Sequence, residues 1–211
     1  MSIQSRDADL LRRHVWALPF TALMLGGVVV SLLSGNQWHA TIALFLVVAS
    51  ALPLLIEQLW CVRLPIFIHV SYVAFLFLSM FCGEVLSMYS RFYPWDDIIH
   101  FLSGILVGLS AVLWLTSVID RANLRLSAWL HALLVVCIGA TTAVVWEIVE
   151  FSSDHLFGTF TQRNDLFDTM TDLIYGTTSA LLVATLLYLA LCHRPSLGLD
   201  RIIKRYRELN R

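Results

Sequence analysis

Residues 96–119 read DDIIHFLSGILVGLSAVLWLTSVI. From Phe101 to Ile119 no side chain carries a charge. As a helix rising 1.5 Å per residue the stretch extends about 36 Å, enough to cross a hydrocarbon core of about 30 Å. Lipid offers no partner to backbone N–H and C=O groups, so a run of this kind in a bilayer must be helical. Its charge is confined to the ends: Asp96, Asp97 and His100 at one, Asp120 and Arg121 at the other.

The same reading extends in both directions. Apolar runs at 15–34, 40–59, 65–88, 96–119, 127–149 and 169–192 predict six spans in an all-α, polytopic membrane bundle. Trp16, Trp38, Trp60, Tyr93, Trp95 and Trp129 fall near the span ends, where amphipathic rings prefer the interface. Composition agrees: 58% of residues are hydrophobic and only 14% charged, against about 25% charged in soluble domains, and the mean hydropathy is +0.76. The first run follows Arg12 and Arg13 without a small-residue cleavage pattern, so it reads as a retained span. Residues 1–192 form one membrane domain and 193–211 a basic tail. Cys61, Cys82, Cys137 and Cys192 are widely spaced, form no CxxC pair and read as packing residues.

Orientation follows from Lys and Arg. With the N-terminus inside, twelve cations (Arg6, Arg12, Arg13, Arg63, Arg121, Arg125, Arg194, Arg201, Lys204, Arg205, Arg207, Arg211) lie on the cytoplasmic side. Two, Arg91 and Arg163, lie outside. This asymmetry places both termini in the cytoplasm and requires an even number of spans. In the tail, Leu199, Ile202, Ile203, Tyr206 and Leu209 recur at helical spacing between basic residues. That pattern fits an interfacial helix on anionic lipid, and equally a solvated basic tail.

The acids converge on the opposite side. Of fifteen Asp and Glu, nine fall at the outer ends of spans three to six: Glu84, Asp96, Asp97, Glu147, Glu150, Asp154, Asp165, Asp168 and Asp172. His100 and His155 join them. Asp97 and His100 are spaced i, i+3, and Asp96 and His100 i, i+4. Glu147, Glu150 and Asp154 run i, i+3, i+7, as do Asp165, Asp168 and Asp172. Each set shares one helix face.

Part of this pattern has a structural explanation. Asp96 and Asp97 open a helix after Pro94, where acids cap free N–H groups and complement the dipole. Asn164 or Asp165 could cap span six, with Asp168 in its first turn. Asp172 lies a further turn in, about 10 Å along the axis from Asp165, a depth at which ionisable groups usually face a partner or a cavity. Glu147 and Glu150 sit near the C-terminal end of span five, where the dipole disfavours carboxylates. A bound cation or shared protons would compensate. Carboxylates with few imidazoles and no thiolate suit Mg²⁺, Mn²⁺ or Ca²⁺. A zinc site would want more His or Cys, and a di-iron bundle paired Glu-x-x-His motifs.

The candidate metal ligands are Asp97, Glu147, Glu150, Asp168 and Asp172. His100 and Glu150 are candidate acid or base groups. Arg91, Arg163 and Glu84 are candidate substrate contacts. Gly104 and Gly108 make a GxxxG, and Gly176 to Ala180 a second small-residue stretch, which would let spans four and six approach below the acids. His69 and His131 read as structural, and Glu57 could pair with Arg63. No Walker loop or GxGxxG is present, and the tail gives no better case for nucleic acid than for lipid.

Four segments carry a resemblance: Gly83-Glu84 with Tyr89; Trp95-Asp96-Asp97-Ile98-Ile99-His100 with Ser103-Gly104; Trp146-Glu147-Ile148-Val149-Glu150-Phe151 with Asp154; and Phe157-Gly158 through Gln162-Arg163 to Asp168-Thr169-Met170-Thr171-Asp172-Leu173. Over residues 60–190 the chain resembles an uncharacterised family of bacterial inner-membrane proteins that includes YjdF. More distantly it is similar to the VanZ-like membrane proteins. The resemblance implies a multi-pass protein of the bacterial inner membrane and supplies no reaction. Two functional classes fit the residues. One is a divalent-cation-dependent enzyme acting at the outer leaflet on a lipid or lipid-linked phosphate. The other is a cation- or proton-coupled transporter or binding protein, although no inverted repeat or broken helix marks a transporter. A structural or resistance-associated protein without catalysis is the third reading. Membrane lipids are the expected partners, and an oligomer is compatible with the pattern.

Overall fold

The computed structural model describes residues 15, 18–162, 165–194 and 196–211. Every regular element among them is helical: α1 (Leu18–Leu33), α2 (Gln37–Ala49), α3 (Leu52–Leu59), α4 (Ile66–Leu76), the short α5 (Met88–Arg91), α6 (Trp95–Arg121), α7 (Ala128–Phe157), α8 (Leu166–Leu191) and α9 (Leu199–Leu209). Five helical stretches are long and apolar enough to cross a membrane: Gln37–Leu59, Ile66–Val85, Trp95–Arg121, Ala128–Phe157 and Leu166–Leu191. The first expected span is the shorter apolar helix α1. Trp16 and Asn164, read above as interface and cap residues, lie outside the described residues, as does the arginine-bearing segment 1–14.

The chain divides into two compact units. The first comprises residues 1–95 with Asn210, and the second residues 96–209 with Arg211.

Two expected spans of the first unit are interrupted, contrary to the reading of unbroken helices. Span two breaks at Ser50 and Ala51, and Pro53 opens α3. A proline lacks an N–H and is tolerated in a first helical turn, not in the interior. Span three changes from α-helix to a π-helix over Phe77–Val85. The wider turn is accompanied by tight ring packing. Gly27 leaves the space that the Phe81 ring fills, and Gly83 the space that Tyr89 fills. Phe77 stacks on Phe81 with centroids 5.2 Å apart. Met24, Leu46, Val73 and Phe81 form the buried core of this unit. Near its other end Glu57 Oε1 accepts the Leu64 N–H at 2.6 Å and lies 3.3 Å from His69 Nε2. Both side chains are buried, so a carboxylate holds the α3–α4 connection in place.

The second unit is built from α6, α7, α8 and α9. Its core gathers Val112 and Leu115 of α6, Val135 of α7, Val183, Ala184 and Leu187 of α8, and Leu199 and Ile203 of α9. Part of the tail's apolar stripe therefore packs on the bundle. Arg207 adds a two-pronged contact, with Nε and Nη2 donating to Asp120 at 2.8 and 2.9 Å. Below the acids the helices meet through small residues. A Cβ on Gly104 would collide with Ser179 Oγ and the Gly176 carbonyl, and one on Gly139 with Ala180. A Cβ on Gly108 would come within 3.0 Å of Val183 Cβ. This matches the packing role expected for Gly104 and Gly176.

Gly104→Val should therefore force α6 and α8 apart and cost about 1–3 kcal/mol, seen as a lower unfolding midpoint in detergent. Gly26→Ala, where an added Cβ meets no atom within 4 Å, should leave that midpoint almost unchanged.

Candidate metal centre

The site lies in the second unit, where three helices bring their acid-bearing ends together. Helix α6 starts at Trp95, so Asp96 and Asp97 occupy its first turn and His100 sits one turn along. Helix α8 starts at Leu166. Asp165 is its cap, accepting the Phe167 N–H at 2.9 Å, which satisfies one free donor at the helix start. Asp168 follows in the first turn and Asp172 one turn deeper.

The glycine contact between α6 and α8 lets His100 meet Asp172. His100 Nε2 is 3.8 Å from Asp172 Oδ2 and 3.6 Å from Asp96 Oδ1. One ligand atom from each of Asp96, His100 and Asp172 lies within 4.8 Å of the others. Bonds of about 2.0–2.6 Å to one cation place two ligands at most about 5 Å apart, so the set fits around a single ion. The separations are too long for direct hydrogen bonds. The groups are gathered without satisfying one another. His100 is 6% exposed and Asp172 only 2%, and Asp172 Oδ1 is buried without a hydrogen-bond partner among the described residues. An unsatisfied buried acceptor costs about 1–3 kcal/mol, more when charged.

Around this group stand further carboxylates. The charges of Asp96, Asp168, Glu147 and Glu150 all act on Asp172. Glu147 of α7 is buried. Its Oε2 accepts Gln162 Nε2 at 3.0 Å, while its Oε1 is buried without a hydrogen-bond partner among the described residues. Glu150 Oε1 accepts the Trp146 indole N–H at 2.8 Å. Asp168 is buried.

Gln162 reaches Glu147 because Asp154 folds the following loop back. Helix α7 runs past the expected end at 149 to Phe157 and stops at Gly158, whose φ of 66° is the left-handed cap that glycine tolerates. Asp154 Oδ1 then accepts Thr159 Oγ1, the Thr161 N–H and Thr161 Oγ1 at 2.6–2.8 Å, and Oδ2 accepts the Gln162 N–H at 3.0 Å. Asp154 thus positions a loop that positions Gln162, and Gln162 grips Glu147. Beside Glu147 an open cavity of about 460 Å³ lies between α7 and α8. Asp154, His155 and Gln162 line it together with Ile148, Phe151 and Leu166.

The expected residues are therefore placed unequally. His100 and Asp172 come together, and Glu147, Glu150 and Asp168 surround them at one remove. Asp97 is half-buried on the same turn as Asp96 and is not in the three-residue group. The residue that joins His100 there is Asp96, one helical turn before it, a spacing present in the sequence. Gln162 falls in one of the segments that carry the resemblance, but the sequence assigns it no role, because that role depends on how the loop folds. Glu84 and Arg91 belong to the first unit. Glu84 lies in the π segment, with the charge of His39 acting on it. Arg163 is outside the described residues.

Comparison with known proteins gives a family and no activity. An uncharacterized protein of Thermotoga maritima is 30% identical over 112 residues, covering 53% of this chain and 57% of that protein. The chain thus aligns with little more than half the length of that relative. No solved structure matches the chain. A family model described as "Predicted membrane protein (DUF2238)" matches residues 14–193, a family that the YjdF-type resemblance fits. The chain belongs to this DUF2238 family of membrane proteins.

Proposed function

We propose that Asp96, His100 and Asp172 bind a divalent cation, and that the cation serves a membrane enzyme acting on a lipid or lipid-linked phosphate. The observation that carries this reading is the buried Asp172 Oδ1, without a hydrogen-bond partner among the described residues, beside His100 and Asp96. A cation would satisfy that oxygen and offset the surrounding negative charge. Two carboxylates and one imidazole suit Mg²⁺, Mn²⁺ or Ca²⁺. Bound there, such an ion would polarise a phosphoryl oxygen and activate water. Glu147, whose Oε1 is buried without a hydrogen-bond partner among the described residues, is the candidate to complete the shell from α7. Glu150, oriented by the Trp146 N–H, would move the proton. Arg163, next to Gln162 in sequence, would supply a head-group cation.

The orientation belongs to the same proposal. The twelve-to-two division of cations supports cytoplasmic termini and an outward-facing metal centre in a bacterial inner membrane. Reporter fusions check it. A fluorescent protein that folds only in the cytoplasm should glow when joined after Arg211 or inserted at 122–127. It should stay dark when inserted at 159–162. Fluorescence at 159–162 would reverse the orientation.

Elemental mass spectrometry on purified protein tests the metal. About one divalent ion per chain is expected, with at least a tenfold loss in Asp172→Asn and Asp96→Asn. Asp97→Asn should retain it. Adding the same ion should raise the wild-type unfolding midpoint, since a ligand of the native state stabilises it, and should not raise that of Asp172→Asn. Occupancy should also fall on acidification, because the ligands must be deprotonated to bind. A wild type that holds no ion after Mg²⁺, Mn²⁺ and Ca²⁺ loading would favour carboxylates sharing protons, and with them transport.

A further inference from the structure

The second unit carries another cavity, far along α8 from the carboxylates. About 400 Å³ in volume, it lies between the end of α8 and helix α9, within the size range of ligand pockets, which starts near 300 Å³. Ala190, Leu191 and Ile203 give it an apolar wall, and His193, Lys204 and Arg211 a basic rim.

The charges on this rim are not equally available. Arg207 also lines the cavity but is committed to Asp120 by two hydrogen bonds. Of the two acids, Asp200 accepts Ser196 Oγ at 2.8 Å, a bond that holds its carboxyl below the usual range and keeps it charged. Glu208 lies 3.5 Å from Arg205. Lys204 and Arg211 are exposed, with no hydrogen bond or ion pair among the described residues. Lys204 is on α9 and Arg211 two residues beyond its end at Leu209, and both line the same cavity. The helix itself is fixed, because Leu199 and Ile203 are buried in the bundle core. What remains is a pocket in which Lys204 and Arg211 make no ion pair among the described residues and face an apolar wall, with Asp200 as the acid beside them, at the end of a helix long enough to cross a membrane.

We infer that this pocket binds the head group of an anionic phospholipid, its phosphate between Lys204 and Arg211 and the upper acyl chain against Ala190, Leu191 and Ile203. The apolar wall selects a lipid over a free phosphate. The inference does not depend on the metal centre.

The test separates a pocket from general attraction to a charged surface. Protein released from detergent is analysed by native mass spectrometry with equal amounts of phosphatidylglycerol and phosphatidylcholine of matched chains. Wild type should retain phosphatidylglycerol preferentially. Lys204→Gln with Arg211→Gln should reduce that preference by about 25-fold, since each cation near a lipid surface is worth roughly fivefold. Arg194→Gln with Arg201→Gln removes the same charge from neighbouring residues that do not line the cavity, and should leave the preference nearly intact. Equal loss in both pairs, or no preference in the wild type, would overturn the proposal. So would displacement of the lipid by an equal concentration of glycerol phosphate. The wild-type measurement and the off-cavity pair keep the test decisive should the first pair fold poorly.

Discussion

The near-contact of α6 and α8 at Gly104, Gly176 and Ser179 controls the geometry of the site. No side chain separates the two backbones at that level, since a Cβ on Gly104 would strike the Gly176 carbonyl. One turn above it, His100 and Asp172 come within 3.8 Å. Larger residues at the crossing would move the helices apart and leave each titratable group on its own helix. Small residues at the crossing thus set the distance at which charged residues meet.

That proximity has an electrostatic cost. Asp172 is almost completely buried, one of its oxygens has no hydrogen-bond partner among the described residues, and four other carboxylates act on it. Buried charge without compensation is strongly unfavourable. The fold nevertheless holds these acids in place from several directions, through the Asp165 cap, the Asp154 loop and the Gln162 grip on Glu147. Simple caps would need none of this support. An arrangement braced at such a cost is the expected signature of a functional site.

The sequence made the helices legible because apolar run length is a strong signal and the bilayer fixes its scale. It also showed that Asp172 was too deep for a cap and that small residues would join spans four and six. It did not show the π segment, whose residues are as apolar as an α-helix would need, nor the break at Ser50. Asp96 and Asp97 both share a face with His100 by spacing, so the pattern alone does not separate them, whereas the structure brings Asp96 and not Asp97 into the group. The Asp154 loop was hidden because it is made of side-chain to backbone bonds across 158–162, which no periodicity reports. The tail's apolar stripe read equally as facing lipid or water, whereas Leu199 and Ile203 pack on protein.

The most direct test of the metal centre is pulsed electron paramagnetic resonance on Mn²⁺-loaded protein. The account predicts nitrogen modulation from a single directly bound imidazole, lost in His100→Gln and retained in His155→Gln. A Mn²⁺ signal without nitrogen coupling, or one unchanged in His100→Gln, would contradict it.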